Sequence, residues 1–164
     1  MLLFAGAGFA LAAAAAAVVV LSGSAGPSPV PRARQYTAFS ACLLSDAQGV
    51  TGSQAAQIWA GMESASLETH AKVSSLPVFG PATVGNAVPY ANTLVQRHCD
   101  VVVAVGDVQA AAVIQVASQA HKVRFVVVGG GTPTSNVTVV SDSPEAGSEV
   151  ARLVKTAAQQ GKIT

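Results

Sequence analysis

The stretch Asp100-Val101-Val102-Val103-Ala104-Val105-Gly106-Asp107-Val108-Gln109-Ala110-Ala111-Ala112-Val113-Ile114 decides the fold. From Val101 to Val105 every side chain is apolar, with no alternation, so a strand here must be covered on both faces. Gly106-Asp107 ends that strand, and apolar residues then recur at helical spacing from Val108 to Ala120. A strand buried on both sides that feeds a helix is the unit of a parallel α/β sheet.

The same unit repeats on either side. Toward the N-terminus, Val88 to His98 carries a helical stripe of Ala91, Leu94 and Val95, preceded by the turn Gly80-Pro81 and an alternating strand from Lys72 to Val78. Ser53 to Thr69 reads as a helix with Ile58, Met62 and Ala65 on one face and Ser53 as its cap, and Tyr36 to Leu44 as a buried strand ending at Ser45-Asp46. Toward the C-terminus come a strand from Val123 to Val128, the breaker Gly129-Gly130-Gly131-Thr132-Pro133, a short strand from Val137 to Val140, and a helix from Pro144 to Gln160. The expected fold is α/β, a doubly wound parallel sheet of order 2-1-3-4-5, because crossovers between parallel strands are right-handed.

Composition narrows the function. Of 164 residues, 51% are hydrophobic and 10% charged, with a net charge of +1. Without a basic run, nucleic acid is excluded as a partner. Residues 2–21 are apolar apart from glycine, long enough at about 1.5 Å per residue to span a bilayer core, and read as a signal peptide or a membrane anchor. Residues 22–35 form a Pro/Ser linker with small residues at which a signal peptidase can cut, residues 36–141 the lobe, and residues 142–164 the C-terminal helix. The chain is therefore expected to be exported, either anchored at the cell surface or secreted.

Ligands of such sheets bind beyond the carboxyl ends of the strands, where the order reverses between the first and third. Asp46 closes the first strand and Asp107 follows the third, so both are candidate acceptors for ligand hydroxyls, with Gly49 and Gly106 letting backbone amides approach. The competing reading is that both carboxylates cap the following helices.

Several segments resemble the basic-membrane-protein family of nucleoside-binding lipoproteins. They are Leu43-Leu44-Ser45-Asp46 with Gly49-Val50, Trp59-Ala60-Gly61-Met62, Cys99 to Gly106, Asn136-Val137, Ser143 to Gly147, and Gly161-Lys162-Ile163. They occur in that family's order from Tyr36 onward. The resemblance implies the first lobe of a type I periplasmic-binding fold, a nucleoside-like ligand held between two lobes, an ABC permease as partner, and a ligand contact at Asp46. Departures are as plain. Thr51 to Ala56 replaces the family's Ser-Phe-Asn run, and the sequence ends where the second lobe's first strand is expected.

Other motifs point to structure. His98-Cys99-Asp100 lacks a triad's converging geometry, and the glycine run is followed by Thr132-Pro133 instead of a helix, so no anion site forms there. Trp59 belongs with Ile58 and Met62 in the core, while His70 and His121 belong at helix ends on the surface. No enzyme, cofactor or metal site is expected. The expected function is non-covalent recognition of a small solute. The alternatives are a partner-binding scaffold without ligand and a small flavodoxin-like enzyme.

Two further expectations concern Cys42, Cys99 and the last helix. Aligning the strand ends at Asp46 and Asp107 sets Cys42 opposite Val103 and leaves Cys99 about 13 Å away. A disulfide then needs a shifted register, and otherwise both are buried thiols. The stripe Val150, Leu153, Val154 and Ala157 must be covered, by the chain's own sheet or by a second copy in a homodimer.

Overall fold

Along residues 34–161, the part of the chain that the computed structural model describes, strands alternate with helices except that the last two strands follow one another. They are β1 (Ser40–Ser45), α1 (Ser53–Thr69), β2 (Lys72–Pro77), α2 (Val84–Gln96), β3 (Val101–Val105), α3 (Asp107–Ala117), β4 (Arg124–Val128), β5 (Val137–Val140) and α4 (Ala146–Gln160). All strand pairs are parallel and the order is β2-β1-β3-β4-β5, as the burial of the apolar runs requires. The apolar N-terminal segment and most of the linker lie outside the described residues. Among the described residues no helix is long and apolar enough to cross a membrane.

Strand alternation divides the core in two. Cys42, Leu44, Val102, Ala104, Phe125 and Val127 face α2 and α3, whereas Leu43, Val101, Val103, Val126 and Val128 face α1 and α4. Trp59 packs against the second cluster.

Element ends differ from the sequence reading for local reasons. β1 begins at Ser40, leaving Tyr36 half exposed. α2 begins four residues earlier than its apolar stripe, at Val84, because the Thr83 hydroxyl accepts the Asn86 amide at 3.3 Å; Pro89 is carried inside the helix. Gly52, not Ser53, occupies the N-cap of α1, with no side-chain cap. Glu145 precedes α4, and its amide donates to the Ser143 hydroxyl at 3.3 Å. Gly161 is right-handed at φ −67°, and the left-handed positions after helices are taken by His70 (φ 60°) and His98 (φ 58°).

Cys42 and Cys99 form a disulfide with a Cα separation of 6.0 Å. Two errors in the aligned-ends estimate explain the difference. Cys42 pairs with Val102, not Val103. Cys99 also lies outside β3: after left-handed His98 its amide still reaches the Leu94 carbonyl at 3.2 Å, which keeps it beneath the end of α2 on the sheet face that Cys42 lines.

α4 covers its stripe with its own chain. Val150 and Val154 are fully buried against the sheet and Leu153 partly so. The helix crosses α1 where two glycines meet: a Cβ on Gly61 would stand 2.0 Å from the Gly147 carbonyl oxygen. Gln57 Nε2 donates to the Ser143 carbonyl at 3.0 Å and Lys155 pairs with Glu68 at 3.1 Å, fixing the start and middle of α4 on α1. On its outer face Arg152 donates to Glu149. That hydrogen bond, with the guanidinium's charge, holds the Glu149 carboxyl below the usual carboxylate range, and Arg152 is raised in turn.

Candidate functional site

β1 and β3 part company at their carboxyl ends because β1 continues toward β2 on one side and β3 toward β4 on the other. The chain leaving β1 makes a tight turn: the Asp46 carboxylate accepts the Gln48 amide through Oδ1 at 2.9 Å, and the Asp46 carbonyl accepts the Gly49 amide at 3.0 Å. Gly49 is needed for its φ of 62°, which costs other residues roughly 1–2 kcal/mol. Its amide is committed to this turn, so it does not serve a ligand as the sequence reading expected.

The turn divides the edge into two clefts that share Asp46 and Gln48. One, of about 230 Å³, is lined by these residues, by Gly52, Ser53, Gln54 and Ala55 of the α1 start, and by Val105 and Gly106. The other, of about 160 Å³, opens on the β2 side among Val78, Gly80, Pro81, Ala82, Val108 and Gln109. Asp46 and Gly106 are thus brought together, while Gly49 and Asp107 line neither cleft.

Asp46 does not cap a helix, since α1 has no side-chain cap and Oδ1 serves the turn. Oδ2 has no hydrogen-bond partner among the described residues and is free to accept from a ligand. Asp107 is the exposed first residue of α3, where a carboxylate favours the positive helix end. The first turn of α1, which has no side-chain cap, lines the cleft with Asp46, whereas the start of α3 carries its own carboxylate, Asp107.

Gln48, Gln54 and Gln109 escaped the sequence reading. Gln109 is the most telling, a polar side chain only 6% exposed, folded over Gly106 so that a Cβ there would meet its Oε1 at 2.7 Å. A glutamine three residues after a strand-ending glycine was the available signal. The Asn136 amide of the Asn136-Val137-Thr138 sequon is engaged, donating to the Ala117 carbonyl at 3.1 Å and tying α3 to the start of β5. Among the described residues no three His, Cys, Asp or Glu side chains converge to hold a metal ion.

No family model matches the chain, and no curated protein does. Solved structures do. A fragment named as a lipoprotein, from Peptoclostridium difficile 630, superposes with a TM-score of 0.60 at 18% identity, over 77% of this chain and 99% of that one. An ABC transporter solute-binding protein from Conexibacter woesei gives 0.54 at 23%, over 63% of this chain and 35% of that one. A transcriptional activator of the comK gene from Bacillus halodurans gives 0.50 at 17%, over 61% and 33%. The described lobe thus matches the whole of the first structure, and the chain spans about a third of the other two. The fold of residues 34–161 is that of one lobe of a periplasmic-binding-like protein.

Proposed function

We propose that the chain is an exported solute-binding lobe that recognises a small neutral molecule without chemical change, at the carboxyl edge between β1 and β3. The observation that carries this reading is the Asp46 carboxylate, held by its turn with one oxygen unpartnered, over a cleft at the sheet's switch point. A carboxylate so placed accepts ligand hydroxyls strongly. Gly106 and the start of α1 form the opposite wall.

The finer reading follows the family resemblance. The ligand is nucleoside-like, the partner is the permease of an ABC importer, and residues 1–21 act as signal peptide or anchor. The solute-binding neighbour supports a binding role through its fold alone. The lobe of residues 34–161 offers one wall, so by itself it covers little of a ligand's surface and binds weakly.

A thermal-shift screen against nucleosides, sugars, flavins and divalent metals tests the proposal, since a ligand at a hundred times its Kd adds about 2.7 kcal/mol to the native state. Stabilisation by nucleosides or sugars is expected. Stabilisation by flavins or metals alone would replace the proposal with a different chemistry.

A further inference from the structure

We infer that the opposite edge of the sheet, where the strands begin, holds a second site, and that Lys122 and Arg124 there take the phosphate group of a small organic ester. This site stands apart from the clefts around Asp46 and does not depend on the reading given to them.

The site follows from how α4 lies. Gly61 and Gly147 let the helix close on α1, and Lys155 ties it there through Glu68. The same sheet face is left partly open at the starts of β4 and β5: Thr138 is exposed, although it shares that face with its buried register partner Val126 and with buried Val140. Arg124, two residues before Val126, lies on this face too. The opening is a cavity of about 320 Å³ whose apolar wall includes Val126 and Leu153.

Its polar wall is cationic. His121 and Lys122, between α3 and β4, line it with Arg124, the first residue of β4, and no Asp or Glu does. Among the described residues the ion pairs are Arg152 with Glu149 and Lys155 with Glu68, so neither Lys122 nor Arg124 has a carboxylate partner there. Asp100 lines an adjoining cavity with both of them, but it is engaged by β1, accepting the Ser40 amide at 2.7 Å. Ser135, Thr138 and Thr156 add hydroxyl groups to the lining.

These groups select their ligand. Two permanent cations, a histidine and three hydroxyls offer more donors than the two oxygens of a carboxylate can use, whereas a phosphate ester presents three terminal oxygens and up to two charges. The guanidinium fork of Arg124 can serve two of those oxygens at once. The wall of Val126 and Leu153 then receives the ester's carbon body. The clefts at the other edge are the reverse, with Asp46 and no Lys, Arg or His, so the two edges select ligands of different charge.

A soluble ester and a phospholipid headgroup share this chemistry, and titration of the full-length, isotopically labelled protein followed by amide NMR separates them. The probes are phenyl phosphate, benzoate and a short-chain phosphatidylglycerol kept monomeric, in about 0.15 M salt, where loose charge attraction is screened within about 8 Å. The inference expects saturable shifts at Lys122, Arg124, Thr138 and Thr156, with phenyl phosphate bound about tenfold more tightly than benzoate. Arg124→Gln should weaken phenyl phosphate about tenfold at an unchanged melting temperature, because the side chain has no ion pair to lose. Lys122→Gln, outside the strands, should do the same and decides the matter if Arg124→Gln disturbs the fold. Arg97→Gln, at the end of α2 and outside the cavity, should bind as wild type. Tighter binding of the short-chain lipid than of phenyl phosphate would assign the site to a headgroup, and weaker binding to a soluble ester. Benzoate bound as tightly as phenyl phosphate, equal losses in Arg97→Gln and Lys122→Gln, or no saturable shift at this cavity with either phosphate at millimolar concentration would overturn the inference.

Discussion

Cys42 and Cys99 join positions 57 residues apart, and a cross-link of that span removes a large share of the unfolded chain's freedom. Loop-closure entropy predicts that reduction, or Cys42→Ser with Cys99→Ser, costs about 4 kcal/mol. Denaturant unfolding with and without reductant measures this, and mass spectrometry after alkylation without reductant should find neither cysteine labelled. At the same scale the sequence was legible where a residue's role follows from its place in a strand. Asp46 is polar at the end of an apolar run, and so falls at the carboxyl edge. Gln109 was not legible, because helical spacing places it on α3 without showing that Gly106 lets it fold inward. The cysteine contact was hidden for a related reason. Register arithmetic assumes that Cys99 extends β3, whereas left-handed His98 keeps it under α2.

Among the elements, α4 depends on the two glycines that let it approach α1. Gly61→Ala would place a methyl group against the Gly147 backbone, and overpacking of this kind costs roughly 1–3 kcal/mol. Thermal unfolding should show the loss, and Ala60→Ser, on an exposed position of the same helix, should show almost none. Leu153→Asp should likewise lower stability, because its side chain packs on the sheet cluster. The apolar stripe of α4 announced that the helix must be covered, but not that α1 would share the sheet's part in covering it, since a glycine pair gives no hydrophobic signal. The start of α2 was misplaced for a different reason. The apolar stripe suggested a late beginning, and the Thr83 cap starts the helix a turn earlier.

For the whole molecule, the strand order was readable because apolar strands alternating with helices leave few ways to cover both faces of a sheet. With the α4 stripe buried within the chain, light scattering should find a monomer at micromolar concentration. A dimer that Leu153→Asp dissociates while the lobe stays folded would show that this helix also serves a second copy. The central claim concerns recognition at the β1/β3 edge, and calorimetric titration of the wild type and Asp46→Ala with uridine and adenosine tests it most directly. The predicted result is a wild-type affinity no tighter than high micromolar, about −5 to −6 kcal/mol, weakened at least tenfold in Asp46→Ala. Saturable binding of equal strength in both proteins, or no binding to the wild type at millimolar ligand, would contradict it.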